Sequence, residues 1–203
     1  IVEQLSMGHL PGDGLAFRDV ATGVYDRCRP LEKGDVVLDV GAHVGAFSTY
    51  SAERVGSSGR IFAFEPEPRN YARLSIRMSP IPIVKPQAVA LGEGDGATVL
   101  HFHPQCTAGH SRCFAHIDSA RLVVPMATMD TLCASLDRLD LVKIDAEGSE
   151  TNIVRGGKAT LGRLRPHLVI EVDGTGEALG QVLDEIGYTI TAIEKLTDRE
   201  PRP

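Results

Sequence analysis

Short apolar runs alternate with longer segments whose apolar residues recur at helical spacing. VVLDV at 36–40 is an apolar run carrying a single acid, and it reads as a buried strand. From Gly45 to Val55, the residues Phe47, Tyr50, Ala52 and Val55 fall at the intervals of a helix. RIFAFE at 60–65 reads as a second strand. Pro66 and Pro68 then open a helix through Tyr71, Leu74, Ile76 and Met78, since proline suits a first helical turn. Residues 81–91, IPIVKPQAVAL, predict a third strand leaving the sheet at Ala88–Ala90. After the turn GEGDG, ATVLHFHP alternates like one strand of a hairpin, and 121–126 reads as another strand. A short helix is expected over Met129–Leu136 and a fourth main strand over Leu139–Asp145. A helix starts at Glu150, is interrupted at Gly156–Gly157 and resumes over Lys158–Leu164. HLVIEV at 167–172 is the fifth main strand, 177–186 a helix capped by Gly187, and Tyr188–Ile193 a last strand.

Strand and helix alternating through short links predict an α/β fold with a parallel sheet and right-handed crossovers. The expected organisation is a flanking or lid segment at 1–35, the α/β domain at 36–196 and a polar tail at 197–203. The 203 residues suffice for one core. A net charge of -6 argues against a nucleic acid as the general partner. No 18-residue apolar span is present, and the first residues do not form a charged-then-apolar leader. Cys28, Cys106, Cys113 and Cys133 form no CxxC pair, so the expectation is a cytoplasmic protein with free thiols. Association into a homo-oligomer is left open.

The turn DVGAHVG, residues 39–45, ends the first strand and opens a helix. Gly41 and Gly45 are expected to let the backbone approach a ligand at the helix N-terminus. The spacing is GxxxG, and His43 stands where a dinucleotide fingerprint needs its second glycine, which disfavours NAD and FAD. Asp39 would repel a pyrophosphate but suit a cofactor bearing an ammonium and a sulfonium. Glu65, at the end of the second strand, can accept both hydroxyls of a ribose; the alternative is that it caps the next helix. Ala88, Val89 and Ala90 are small enough for an adenine to lie against. A purely structural turn is the competing reading of the whole motif.

KIDAEGSE, residues 143–150, is the second candidate site. Lys143 and Asp145 share one strand face, and Glu147 and Glu150 follow in the turn. A carboxylate at the carboxyl edge of an open sheet can act as a base, hold a metal or bind a cofactor. The alternative is that Glu147 and Glu150 favour a helix N-terminus through the dipole, more so for Glu150. Glu171 ends the neighbouring strand and can face the same cleft. His101, His103, Cys106, His110, Cys113 and His116 crowd one stretch, but their spacings match no zinc-finger pattern. A substrate-facing loop is the better reading, with His110 and His116 as acid–base candidates.

These motifs together resemble the FkbM-type methyltransferases, a branch of the class I enzymes that use S-adenosylmethionine. The resemblance rests on VVLDVGAHVGAFS, GRIFAFEPEP, AVALGEGDG, MDTL, LVKIDAEGSETNIVRGG and HLVIEV, in that order over about residues 34–194. It implies a Rossmann-like sheet of seven strands, mostly parallel, with an antiparallel last strand and helices on both faces. It implies that Asp39, Gly41, Ala42, His43 and Gly45 form the methionine side of the cofactor pocket, that Glu65 and Pro66 hold the ribose, and that Ala88 and Val89 lie near the adenine. Asp145 and Glu147 would line the cleft beside Lys143. The reaction implied is methyl transfer to a hydroxyl of a sugar or other small metabolite. Candidate bases are Glu147, Asp145 and His110, with Glu171 nearby; a divalent metal between Asp145, Glu147 and Glu171 is a second possibility. Two departures stand out: Arg77 and Pro80 replace the family's Asn after the second strand, and Ala146 replaces a branched apolar residue. A dinucleotide oxidoreductase lacks its GxGxxG here, and a non-catalytic binding module is the non-enzyme alternative.

Overall fold

The computed structural model describes residues 20, 25, 29–102, 120–172 and 176–192. The main sheet is parallel, with five strands: β1 (Val36–Val40), β2 (Arg60–Phe64), β3 (Val84–Gln87), β7 (Leu141–Ile144) and β8 (His167–Ile170), in the order β3-β2-β1-β7-β8. The chain winds outward from β1 in one direction, then crosses back to β7 and winds outward in the other. That reversal places a topological switch point between β1 and β7.

Helices cover both faces because alternate strand residues point to opposite sides. Val37, Ile61, Ala63, Val84 and Leu141 pack with α1 (Ala46–Val55) and α2 (Pro68–Met78). Val36, Leu38, Val40, Phe64, Val142 and Ile144 pack on the other side. Their partners there include α3 (Met129–Leu132), α4 (Glu150–Arg155), α5 (Lys158–Leu164) and α6 (Glu177–Glu185). A second sheet, β4 (Ala90–Leu91), β6 (Ala120–Ala127) and β5 (Gly96–Phe102), contains the expected β5–β6 hairpin pairing.

Several expectations shift. The third strand is split: β3 stops at Gln87, and Ala88–Val89 carry the chain to β4, which joins the second sheet by pairing with β6. Ile76 lies off the buried face of α2 at 56% exposure, because two residues from Leu74 is more than half a helical turn away. The helix expected over Met129–Leu136 ends at Leu132. The sheet of seven strands is not what forms among the described residues, where five strands and a separate three are present. Residues 188–192 of the expected antiparallel strand form no ladder. Instead the Tyr188 hydroxyl donates to Pro166 O at 2.9 Å, and Arg165 donates to the carbonyls of Ile186 and Gly187 at 2.7 Å each. No helix among the described residues is long and apolar enough to cross a membrane. Cys133 is buried with a free thiol, while Cys28, Cys106, Cys113, His103, His110 and His116 lie outside the described residues.

Candidate functional site

The carboxyl edge of β1, β2, β7 and β8 gathers acids on a single face. Asp39 shares the parity of Val37, Glu65 that of Ala63, Lys143 and Asp145 that of Leu141, and Glu171 that of Val169. The parity persists past the strand ends because the ladder does: Glu65 N donates to Gln87 O, Asp145 N to Val40 O and Glu171 N to Ile144 O. All five side chains therefore stand on the α1/α2 side of the sheet.

Lys143 is the hub. Its ammonium lies 3.3 Å from Asp39 Oδ1 and 3.6 Å from Asp145 Oδ2, and it donates to Gly41 O at 2.9 Å. Burial works against its charge, but Asp39 and Asp145 more than compensate, holding its pKa above the ordinary lysine value. Lys143 is thus a fixed cation and not a base. Asp39 is fully buried, and its second oxygen accepts from Ser48 Oγ on α1 at 2.6 Å. It ties the end of β1 to the helix after the turn.

The glycines serve packing more than ligand approach. A Cβ on Gly41, at φ +74°, would sit 1.8 Å from the backbone oxygen of Asp145, so β1 and β7 meet here backbone to backbone. A Cβ on Gly45, at φ +88°, would press into Leu74 and Met78 of α2. The turn's amides are spent internally as well. Gly41 N and Ala42 N donate to Phe64 O, Gly45 N donates to Ala42 O, and His43 N donates to Glu65 Oε2 at 2.8 Å. A phosphate-binding turn keeps such amides for its ligand. This one does not.

Glu65 is 6% exposed, and its other oxygen accepts from Glu67 N at 2.9 Å. Burial pushes its carboxyl up to about 7, against the pull of those two amides. It does not cap the next helix; Glu67 does, accepting from Asn70 N at 2.8 Å. Pro66 is half-buried between them. Ala88 is exposed and Val89 half-buried on the link between the two sheets. Around Glu147 the turn is stapled by Glu150, whose Oε1 accepts from Ala146 N and Gly148 N at 3.0 Å each. Glu150 is therefore a structural residue. Glu147 itself is half-buried in the left-handed region, φ +49°, a conformation that costs a non-glycine residue energy and is concentrated at functional sites. Among the described residues, no set of three His, Cys, Asp or Glu side chains is arranged to hold a metal ion.

The methyltransferase FkbM domain matches residues 39–198, beginning at the buried aspartate of β1. The chain belongs to the FkbM methyltransferase family. This is a family of S-adenosylmethionine-dependent enzymes. One relative, the 2-O-methyltransferase NoeI of Sinorhizobium fredii, is 28% identical over 66% of this chain and 63% of its own length. The match thus spans somewhat under two thirds of that relative. Among solved structures, a methyltransferase FkbM from Methylobacillus flagellatus KT superposes with a TM-score of 0.53 at 18% identity. That alignment covers 77% of this chain and 37% of the other. Fibrillarin from Aeropyrum pernix, a structure with natively bound S-adenosyl-L-methionine, gives 0.59 at 14% identity over 90% of this chain and 71% of its own. Both share the α/β fold.

Tyr25 is the residue at this edge that the sequence reading passed over. It lay in the segment assigned to a lid, with no motif to mark it. Its ring packs against Phe47 and Tyr50 of α1, with centroids 4.7 and 6.3 Å away.

Proposed function

We propose that the chain transfers a methyl group from S-adenosylmethionine to a hydroxyl oxygen of a small molecule. The observation that supports this most is the same-face array of Asp39, Lys143, Asp145 and Glu171 at the switch point, with Glu65 beside it. The donor set suits this cofactor. Among the described residues, Asp39 and Asp145 outnumber the one ammonium, that of Lys143, which favours a ligand carrying positive charge. The amides of Gly41, Ala42, His43 and Gly45 are occupied, which disfavours a pyrophosphate. Glu65 retains lone pairs for a ribose diol after accepting its two amides.

When bound, S-adenosylmethionine supplies an electrophilic methyl group on a positively charged sulfur. In this reading Glu65 holds the ribose, and Lys143 keeps the ends of β1 and β7 at fixed separation. Glu147 or Asp145 takes the proton of the acceptor hydroxyl, with the half-buried Glu147 preferred because the Glu150 staple fixes its turn. His110, the third candidate base, lies outside the described residues. The choice of oxygen as acceptor follows the 2-O-methyltransferase NoeI and stands as a proposal for this chain.

Two variants test the reading. Glu65→Ala should weaken S-adenosylmethionine binding about tenfold or more in calorimetry, the worth of hydrogen bonds to a charged group. An unchanged dissociation constant removes Glu65 from the cofactor site. Glu147→Gln should lower the formation of S-adenosylhomocysteine about a hundredfold with a panel of hydroxylated sugars and phenols, leaving cofactor affinity within about twofold. Wild-type turnover in that variant removes Glu147 from the chemistry.

A further inference from the structure

Tyr25 stands where the apolar layer under α1 gives way to the charged edge. Its ring belongs to the cluster containing Val37, Leu141 and Val169, the positions two residues before Asp39, Lys143 and Glu171. Side chains two apart share a face, so Tyr25 and the charged residues occupy the same side of the same strands. Phe47 and Tyr50, whose rings lie 5.7 Å apart, hold it in place, and the Arg54 guanidinium caps Tyr50 at 3.5 Å. Burial raises the phenol's pKa above the ordinary tyrosine range, with Lys143 opposing and Asp145, Asp39 and Glu171 reinforcing. The phenol thus stays neutral and lies within electrostatic reach of all four charged groups.

That combination has a chemical preference. Among the described residues, Asp39 and Asp145 set two carboxylates against the one ammonium of Lys143. A sulfonium carries no N–H or O–H, so its hydrogen bonds to further acceptors are limited to weak C–H···O contacts. An aromatic ring attracts an onium ion without needing a hydrogen bond. We propose that Tyr25 contacts the sulfonium end of the cofactor and makes the site prefer the charged methyl donor over its neutral product.

The reaction gives that preference a use. As the acceptor oxygen bonds to the methyl carbon, the carbon–sulfur bond breaks, and sulfur keeps the electron pair as a neutral thioether. The hydroxyl proton passes to the carboxylate base. The attraction to Tyr25 disappears with the charge, so the product is held less tightly than the donor was.

This inference rests on S-adenosylmethionine occupying the carboxyl edge. It is tested by calorimetric titration of the wild type, Tyr25→Leu and Tyr25→Phe with S-adenosylmethionine and with S-adenosylhomocysteine. Tyr25→Leu should weaken the donor about tenfold and the product less than about twofold, whereas Tyr25→Phe, which keeps the ring, should preserve the wild-type ratio. Equal losses for both ligands, or no loss for either, overturn the proposal. Because the chain contains no Trp, Tyr25→Trp places a lone indole at this point and gives a second readout if the leucine variant fails to fold. Its emission should be quenched more strongly by the donor than by the product; an equal response, or none, again overturns the proposal. A wild type that binds neither ligand overturns the cofactor assignment itself. Wild-type binding with an unchanged ratio in the variants overturns the role of Tyr25 alone.

Discussion

Both ends of the central sheet carry aspartates at strand termini, and the two ends treat them differently. At the amino edge, Asp35 precedes β1 and Asp140 precedes β7. Asp35 accepts both arms of Arg29 at 2.6 and 3.2 Å, Arg138 at 3.2 Å and the amide of Glu32 at 2.9 Å. Burial works to raise its pKa, but the Arg29 fork outweighs it and holds the carboxyl below the usual range. Asp140 accepts from Arg138 and from Val36 N. A cavity of about 340 Å³ opens at this edge, lined by arginines that are already engaged. Arg163 donates to the carbonyls of Leu136 and Cys133, and Arg165 to those of Ile186 and Gly187. At the carboxyl edge, among the described residues, a single ammonium serves Asp39 and Asp145, and two amides together with the Lys143 charge do not offset the burial of Glu65. Strand-end acids met by guanidinium forks hold the fold together. At the carboxyl edge the described residues set Asp39 and Asp145 against one ammonium, and the proposed binding of a cationic cofactor rests on that imbalance.

The largest effect should come from removing the hub of the under-compensated edge. Lys143→Met strands Asp39 in the interior and should cost about 3–5 kcal/mol in urea unfolding; a loss below about 1 kcal/mol would mean that Asp39 is solvated or neutral in the fold. Gly41→Ala should cost about 3 kcal/mol, since its methyl group meets the Asp145 carbonyl and its backbone is left-handed. A melting temperature equal to that of the wild type would show that the β1–β7 junction can spread. Glu65 supplies a pH test. Its folded pKa of about 7 exceeds the ordinary 4.5, so the folded state binds this proton more tightly. Stability should therefore fall as pH rises from 4.5 to 7, by about 3 kcal/mol from this group, and level off above. Cofactor affinity should run the other way, because the ionised carboxylate is the ribose acceptor: flat above pH 7 and falling by up to about tenfold per unit below it. A flat binding profile through that window would refute the assignment. The smallest effect belongs to the saturated edge. Arg138, with its side chain 56% exposed, should lose less than about 1 kcal/mol as Arg138→Met. A larger loss would make the two edges alike.

Much of this was legible in the chain. Apart from the split between β3 and β4, the order of strands and helices through β8 followed from apolar periodicity, and the GxxxG turn, Glu65 and KIDAEGSE pointed to residues that the fold brings to one sheet edge. The roles inside those motifs were less legible. Gly45 looked like room for a ligand and is room for Leu74 and Met78. Glu65 could be read as the cap of the next helix, and geometry assigned that cap to Glu67. Residues 188–192 join no ladder, and the bonds of Arg165 to Ile186 and Gly187 and of Tyr188 to Pro166 link residues that no local pattern connects.

By itself, then, the sequence determined the α/β alternation, the placement of acids at strand ends and the family, since these depend on periodicity and on residues close in the chain. Only the tertiary structure decided which acids share a face, which are neutralised and that Tyr25 joins them. Those outcomes depend on strands far apart in sequence, β1 and β7 above all, being brought into register. Charge balance is a property of that assembled edge, and no single segment carries it.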